Sequence, residues 1–271
     1  MISLLQEVFS YSFIVRATIV GMLVSLCASI LGVSLVLKRY AMIGLGLSNV
    51  AFGSLAIAII LNMSPLQISF PVVGIAAILL LRVRENSKIK GDSAIALISS
   101  ISLAIGIIGI TIKTGISSDV CNYMFGSILA MTKSDVYISI VVCIFIIILY
   151  LLFYNKIFLV TFDENFARAI GVNSSLYNML ISILTSFIIV LGMRLMGAML
   201  ISSLIIFPAL TSMRIFNTFK SVVISSAIIS LFCFFVGIVL SFAIELPSGA
   251  CIVVVNFAMF IIFSIFGKLK R

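Results

Sequence analysis

Histidine is absent from the 271-residue chain, and charged side chains make up only 9% of it. The first absence removes imidazole as a metal ligand and as a proton-transfer group. The second removes the polar surface that water solubility requires, since soluble domains carry roughly 25% charged residues. Cysteine is sparse as well. Cys27, Cys121, Cys143, Cys233 and Cys251 show no paired spacing, and four of them lie inside apolar runs, which argues against a disulfide framework. Nucleotide chemistry is missing too: no G-x-x-x-x-G-K-[ST] occurs, and Gly267–Lys268 has neither the upstream glycine nor the Ser/Thr. With no nucleophile–base pair or ligand cluster in view, the chain does not read as an enzyme.

What is present is apolar sequence: 63% of the residues are hydrophobic. Runs of about 18 residues or more recur from end to end, each long enough for a membrane-spanning helix with its backbone hydrogen bonds closed internally. Transmembrane strands would be about ten residues long and would alternate apolar with polar residues, and these runs do not. The expectation is an all-α, polytopic transmembrane bundle forming one domain over 1–271. Nine candidate spans are read, at 13–37, 42–62, 65–81, 93–112, 136–154, 176–193, 195–213, 221–244 and 250–267.

The net charge of +9 needs no nucleic-acid partner, because Lys and Arg accumulate in cytoplasmic loops. Lys38, Arg39, Arg82, Arg84, Lys88, Lys90, Lys156, Arg168, Arg214, Lys220, Lys268, Lys270 and Arg271 fall on one side; Arg16, Lys113, Lys133 and Arg194 fall on the other. That asymmetry predicts a multi-pass protein of the cytoplasmic membrane with its N-terminus outside and its C-terminus in the cytoplasm.

Two connections are too long for simple turns. Residues 113–135 lie on the outer side and hold a short apolar patch, Tyr123–Met131, read as a re-entrant or surface helix. Residues 155–175 lie on the cytoplasmic side. There Asp163 and Glu164 suit the first turn of a helix, Ala167 supplies a small residue, and Gly171 suits a C-terminal cap before Val172. Such a helix fits a groove on a soluble partner, or serves as an ordinary amphipathic connector.

Asp163–x–x–x–Ala167–x–x–x–Gly171–Val172 resembles the coupling segment of ABC importer permeases. Gly32–Val33–x–Leu35–Val36–Leu37–Lys38–Arg39, Met42–Ile43–Gly44 and Tyr123–x–Phe125–Gly126–Ser127–Ile128–Leu129 narrow the resemblance to permeases of the zinc/manganese ABC importer family. So do Gly197–x–x–Leu200–Ile201–x–x–Leu204–x–x–x–Pro208–Ala209 and Pro247–Ser248–Gly249–Ala250. The resemblance implies a type II importer permease of about eight or nine spans that works as a homodimer. It implies a cytoplasmic ATP-binding subunit, holding ATP-Mg and docked on 163–172, and an extracytoplasmic metal-binding protein. The cargo would be Zn²⁺ or Mn²⁺, with no cofactor bound by this chain.

In that family the second span typically opens with Gly-Asp-x-x-Ser-His, whose Asp and His face the pathway. Here Gly44–Leu45–Gly46–Leu47–Ser48–Asn49 puts Leu45 at the acid and Asn49 at the histidine. Leu45, Ser48 and Asn49 are therefore the pathway candidates, without the charge that offsets the desolvation of a divalent ion. Three readings follow: a permease with altered gating whose metal is selected outside, a permease for another substrate, or an assembly-competent but inactive form.

Other polar groups have plainer readings. Arg194 and Arg16 are expected to snorkel at the outer interface. Asp119, Asp135 and Glu245 are outer acids: Asp119 and Glu245 are the candidates at the mouth, Glu245 for docking of the binding protein, while Asp119 and Asp135 bracket the re-entrant segment either to concentrate cations or, more plainly, as solvated loop charges. Met193, Met196 and Met199, three apart, would line one helix face as a soft-metal path or as packing. A secondary transporter would need intramembrane acids and two repeated halves, and a channel would need a filter or charged ring; neither pattern is visible.

Overall fold

The computed structural model describes residues 12–86, 91–114, 133–244 and 246–269. Among these there are only helices: α1 (Ser12–Leu37), α2 (Ala41–Ile60), α3 (Pro65–Asn86), α4 (Gly91–Thr114), α5 (Lys133–Leu152), α6 (Tyr154–Phe162), α7 (Glu164–Ala169), α8 (Ser174–Met196), α9 (Ala198–Ser212), α10 (Phe219–Ile244) and α11 (Ser248–Leu269). Asp119, Glu245, Cys121 and the apolar patch Tyr123–Met131 lie outside the described residues.

Eight of these helices are long and apolar enough to cross a membrane, and α9 is a shorter apolar helix. The seventh expected span, 195–213, is thus realised as a 15-residue helix that starts at Ala198. Its length of about 22 Å is less than the roughly 30 Å hydrocarbon layer. The cause is Gly197, whose φ of 87° and ψ of 160° break the chain between α8 and α9. That conformation is essentially restricted to glycine. Irregular backbone at membrane depth is tolerated where protein surrounds it, and Gly197 is buried, as is most of α9.

α1 sits at the centre and packs against α5, α8, α9 and α10; α2 packs on α3, α4, α8 and α9, and α11 covers α9 and α10. Without a hydrophobic driving force between helices in lipid, close approach and interhelical hydrogen bonds must hold them. Gly21, Ser25, Ala28 and Gly32, spaced along α1, serve this purpose. A Cβ at Gly32 would collide with the Ile205 carbonyl of α9, and one at Gly21 with Phe234 of α10. Ser25 and Ser230 share a hydroxyl–hydroxyl hydrogen bond of 2.8 Å between α1 and α10, and Ser230 also reaches the Ser25 carbonyl. Cys27, Cys143, Cys233 and Cys251 are buried free thiols, as their apolar settings predicted.

Candidate functional site

Leu45 and Asn49 stand one helical turn apart on α2 and so share a face. α9 fixes the placement of that face, since Gly44 lies against Ile205 with a virtual Cβ only 3.6 Å from its side chain. Leu45 is 42% exposed. Asn49 is half-buried and donates from Nδ2 to Ser99 Oγ of α4 at 2.6 Å, which aims the amide sideways across the helix pair. Ser48 departs from its expected place: it is buried, and its hydroxyl donates to the Leu45 carbonyl at 2.8 Å. An i−3 bond of this kind uses up the only polar hydrogen Ser48 has. The exposed part of the candidate pathway is therefore Leu45 and Asn49, one apolar group and one neutral amide.

No group of three or more His, Cys, Asp or Glu side chains that could hold a metal ion occurs among the described residues. The methionines do not form a line either. Met193 and Met196 are buried on α8, whereas Met199 is exposed on α9 beyond the Gly197 break, so the register that would have aligned them is lost. Met199 instead joins Ser202 and Ser203 of α9, and Gly249 and Ala250 of α11, around a cavity of about 370 Å³. Two motifs some fifty residues apart in sequence are thereby brought to one place.

At the basic end of the bundle, Asp163 caps α7 by accepting a hydrogen bond from Phe166 N at 2.9 Å. Gly171 ends the helix with a φ of 85°; its N–H donates to the Arg168 carbonyl and that of Val172 to the Ala167 carbonyl. These two bonds are the Schellman pair that satisfies the last carbonyls of a helix. The expected stop at Gly171 is present, and Asp163, expected within the first turn, stands just before it as the N-cap. Ala167, however, is fully buried within this chain, so its small side chain seats α7 on its own bundle. The outward surface consists of Phe162, Phe166 and Ile170, each more than half exposed.

A polar chain fastens this segment to two spans. Glu164 pairs with Arg168 at 2.9 Å and accepts from Asn178 Nδ2 of α8 at 3.3 Å, while Lys38 at the end of α1 donates to Asn178 Oδ1. Arg168 also donates to Ser174 Oγ at 2.7 Å. Partial burial works against ionisation of Glu164, but the positive charge of Lys38, the Ser174 hydroxyl and Arg168 outweigh it and hold the carboxyl below its usual range. Asn178 carried no signal in the sequence, because Lys38 and Glu164 reach it from two segments distant in the chain.

At the opposite end, Arg194 pairs with Asp135 at 2.6 Å. Neither residue is the solvated or snorkelling group expected of it. The Asp135 side chain is 7% exposed and that of Arg194 is 28% exposed, so α5 and α8 are joined by a largely desolvated ion pair.

With this architecture in hand, comparison with known proteins is decisive on ancestry. The profile of the ABC 3 transport family matches residues 10–267. The chain belongs to that family. The manganese transport system membrane protein MntC of Halalkalibacterium halodurans is 27% identical over 256 residues, covering 94% of this chain and 87% of the relative. The manganese import system permease protein ScaB of Streptococcus gordonii is 26% identical over 258 residues, covering 95% and 92%. Among solved structures, PsaBC from Streptococcus pneumoniae in complex with Fab superposes with a TM-score of 0.88 at 27% identity, over 100% of both chains. The resemblance drawn from the motifs, to permeases of zinc/manganese ABC importers, thus holds along the whole chain, as does the all-helical membrane architecture.

Proposed function

We propose that this chain is the membrane-spanning permease subunit of an ABC importer that carries a divalent metal ion, with manganese as the first candidate. The observation that carries the reading is the nearly full-length sequence match to manganese permeases, supported by the fold match to PsaBC over the whole chain. Manganese also suits the chemistry better than zinc: it accepts oxygen ligands such as amide carbonyls and water, whereas zinc favours imidazole and thiolate. Asn49 supplies an amide; nothing on the Leu45–Asn49 face supplies imidazole or charge. In this reading the external binding protein selects the metal, and the pathway lined by Leu45 and Asn49 passes it with its hydration largely kept.

The working unit would be a homodimer, each copy a single permease domain over 1–271 with its N-terminus outside and its C-terminus in the cytoplasm. A separate ATP-binding subunit, holding ATP-Mg, would dock on the segment Asp163–Val172. Asp163, Glu164, Gly171 and Val172 shape that segment, Ala167 seats it, and Phe166 and Ile170 face outward to meet the partner. The caps at both ends and the polar link to α1 and α8 support this, because they make a short helix rigid enough to transmit force to two spans. Asp119 and Glu245 would lie at the outer mouth, near the metal-binding protein.

The uncharged pathway favours a second reading, in which the chain assembles but transports poorly or not at all. One experiment separates the two: metal uptake and metal-stimulated ATP hydrolysis by the reconstituted complex, with and without Leu45→Asp/Asn49→His. Manganese uptake by the unaltered chain supports the first reading. Uptake that appears only in the double variant supports the second. Uptake unchanged by the double substitution would mean that these two positions do not gate the pathway.

A further inference from the structure

α5 and α10 both pack on α1 but scarcely touch one another, and the space between them is a groove of about 400 Å³. That volume lies within the range of about 300–1,000 Å³ usual for small-ligand sites. Cys27 and Ile30 of α1 form part of its floor. The Cys27 thiol is already donated to the Cys143 carbonyl, which leaves the floor apolar. Leu151 and Ile224 form its lips and are half exposed or more, so the groove opens sideways toward the bilayer.

Its basic end is built differently. Lys220, in the first turn of α10, and Tyr154, at the start of α6, close the groove there. Lys220 is exposed and has no ion-pair partner among the described residues. It sits where the α10 dipole is positive, which adds to its attraction for an anion. Tyr150 also lines the groove, with its buried hydroxyl beside that of Ser34. A long apolar slot open to lipid, with a cation and hydroxyls at the headgroup end, matches one ligand class in shape and polarity.

We propose that this groove binds one anionic glycerophospholipid, its phosphate on Lys220 and an acyl chain lying on α1 between α5 and α10. A zwitterionic lipid would bring an ammonium group to an end already rich in Lys and Arg, whereas an anionic headgroup meets complementary charge. A hydrocarbon groove left unfilled within a bilayer would forfeit dispersion contacts along its whole lining. The site is separate from the pathway on α2 and does not depend on which metal moves.

The chain contains no tryptophan, so a single introduced Trp reports without background. The full chain carrying Leu151→Trp, reconstituted in phosphatidylcholine, would be titrated with brominated phosphatidylglycerol or brominated phosphatidylcholine. Ile105→Trp, on an exposed face of α4, serves as a bulk-lipid control. One lysine near the surface contributes about fivefold in lipid preference. Quenching at Leu151→Trp should therefore favour phosphatidylglycerol about fivefold, fall to no preference with Lys220→Gln, and return with Lys220→Arg, while the control shows none. Equal quenching by both lipids, or a preference that survives Lys220→Gln, overturns the proposal. A Leu151→Trp reporter shielded from both lipids also overturns it, and would place protein such as a second copy over the groove.

Discussion

Arg194 and Asp135, 59 residues apart in sequence, meet at 2.6 Å and tie the last turn of α8 to the first turn of α5. The pair stands next to the Gly197 break, where α8 stops and α9 turns back. It thus holds in place the junction on which the short helix depends.

Removing one partner leaves the other charge with little solvent. Arg194→Leu or Asp135→Leu should each cost on the order of 2–3 kcal/mol, below the full penalty of about 3–5 kcal/mol for a wholly buried pair because Arg194 keeps some exposure. The double variant should cost less than the two singles together. Thermal unfolding of all four proteins in detergent gives the coupling directly, and additive losses would show that the pair is not the source.

Helix spacing makes a second prediction. Gly32→Ala pushes a methyl into the Ile205 backbone and should destabilise by about 1–3 kcal/mol, as overpacking does. Gly44→Ala meets only side chains of Ile205 at 3.6 Å and should be close to neutral, as should Gly74→Ala, which meets nothing. The ordering of the three melting temperatures is the check.

If the segment Asp163–Val172 docks the ATP-binding subunit as proposed, Phe166→Glu and Ile170→Glu should abolish co-purification with that subunit while leaving the melting temperature of the chain alone within a few degrees. Ala167→Leu should do the reverse first: it disrupts a buried contact of the chain itself and lowers its stability. If Phe166→Glu leaves the complex intact, the outward face of α7 is not the docking surface.

The Glu164 link carries a pH signature. A carboxyl held below its ordinary value stabilises the fold fully above that value, and the contribution is lost as pH falls through the depressed one. Unfolding should therefore become easier below about pH 4.5, near the ordinary carboxylate value. Glu164→Gln should lose part of this acid sensitivity while being less stable than the parent at neutral pH. Melting curves between pH 7 and pH 3.5 test the sign.

Much of the helix-level reading needed no coordinates, because it rests on local physics. The acidic start at Asp163–Glu164 and the stop at Gly171 are local helix effects, set within about nine residues. The small residues of α1 were legible for the same reason, since their period places them on one face whatever that face meets. The region 176–213 was less legible, because its hydropathy is nearly continuous across Gly197 and only the backbone angle shows where one helix ends. The methionine row failed at the same point, for a helical register does not survive a residue at φ 87°.

By itself the sequence determined the solvent and the lineage. Too few charges and too many long apolar runs leave only a helical bundle in a membrane, and ordered motifs along the chain place it among ABC importer permeases. Tertiary structure decided which polar groups are spent and which remain available. Asp135 became half of an ion pair, Ser48 turned inward, Ala167 faced its own bundle, and Leu45 and Asn49 were left on the open face of α2. These outcomes depend on segments that are distant in sequence arriving at one place, and no local spacing encodes which of them will meet.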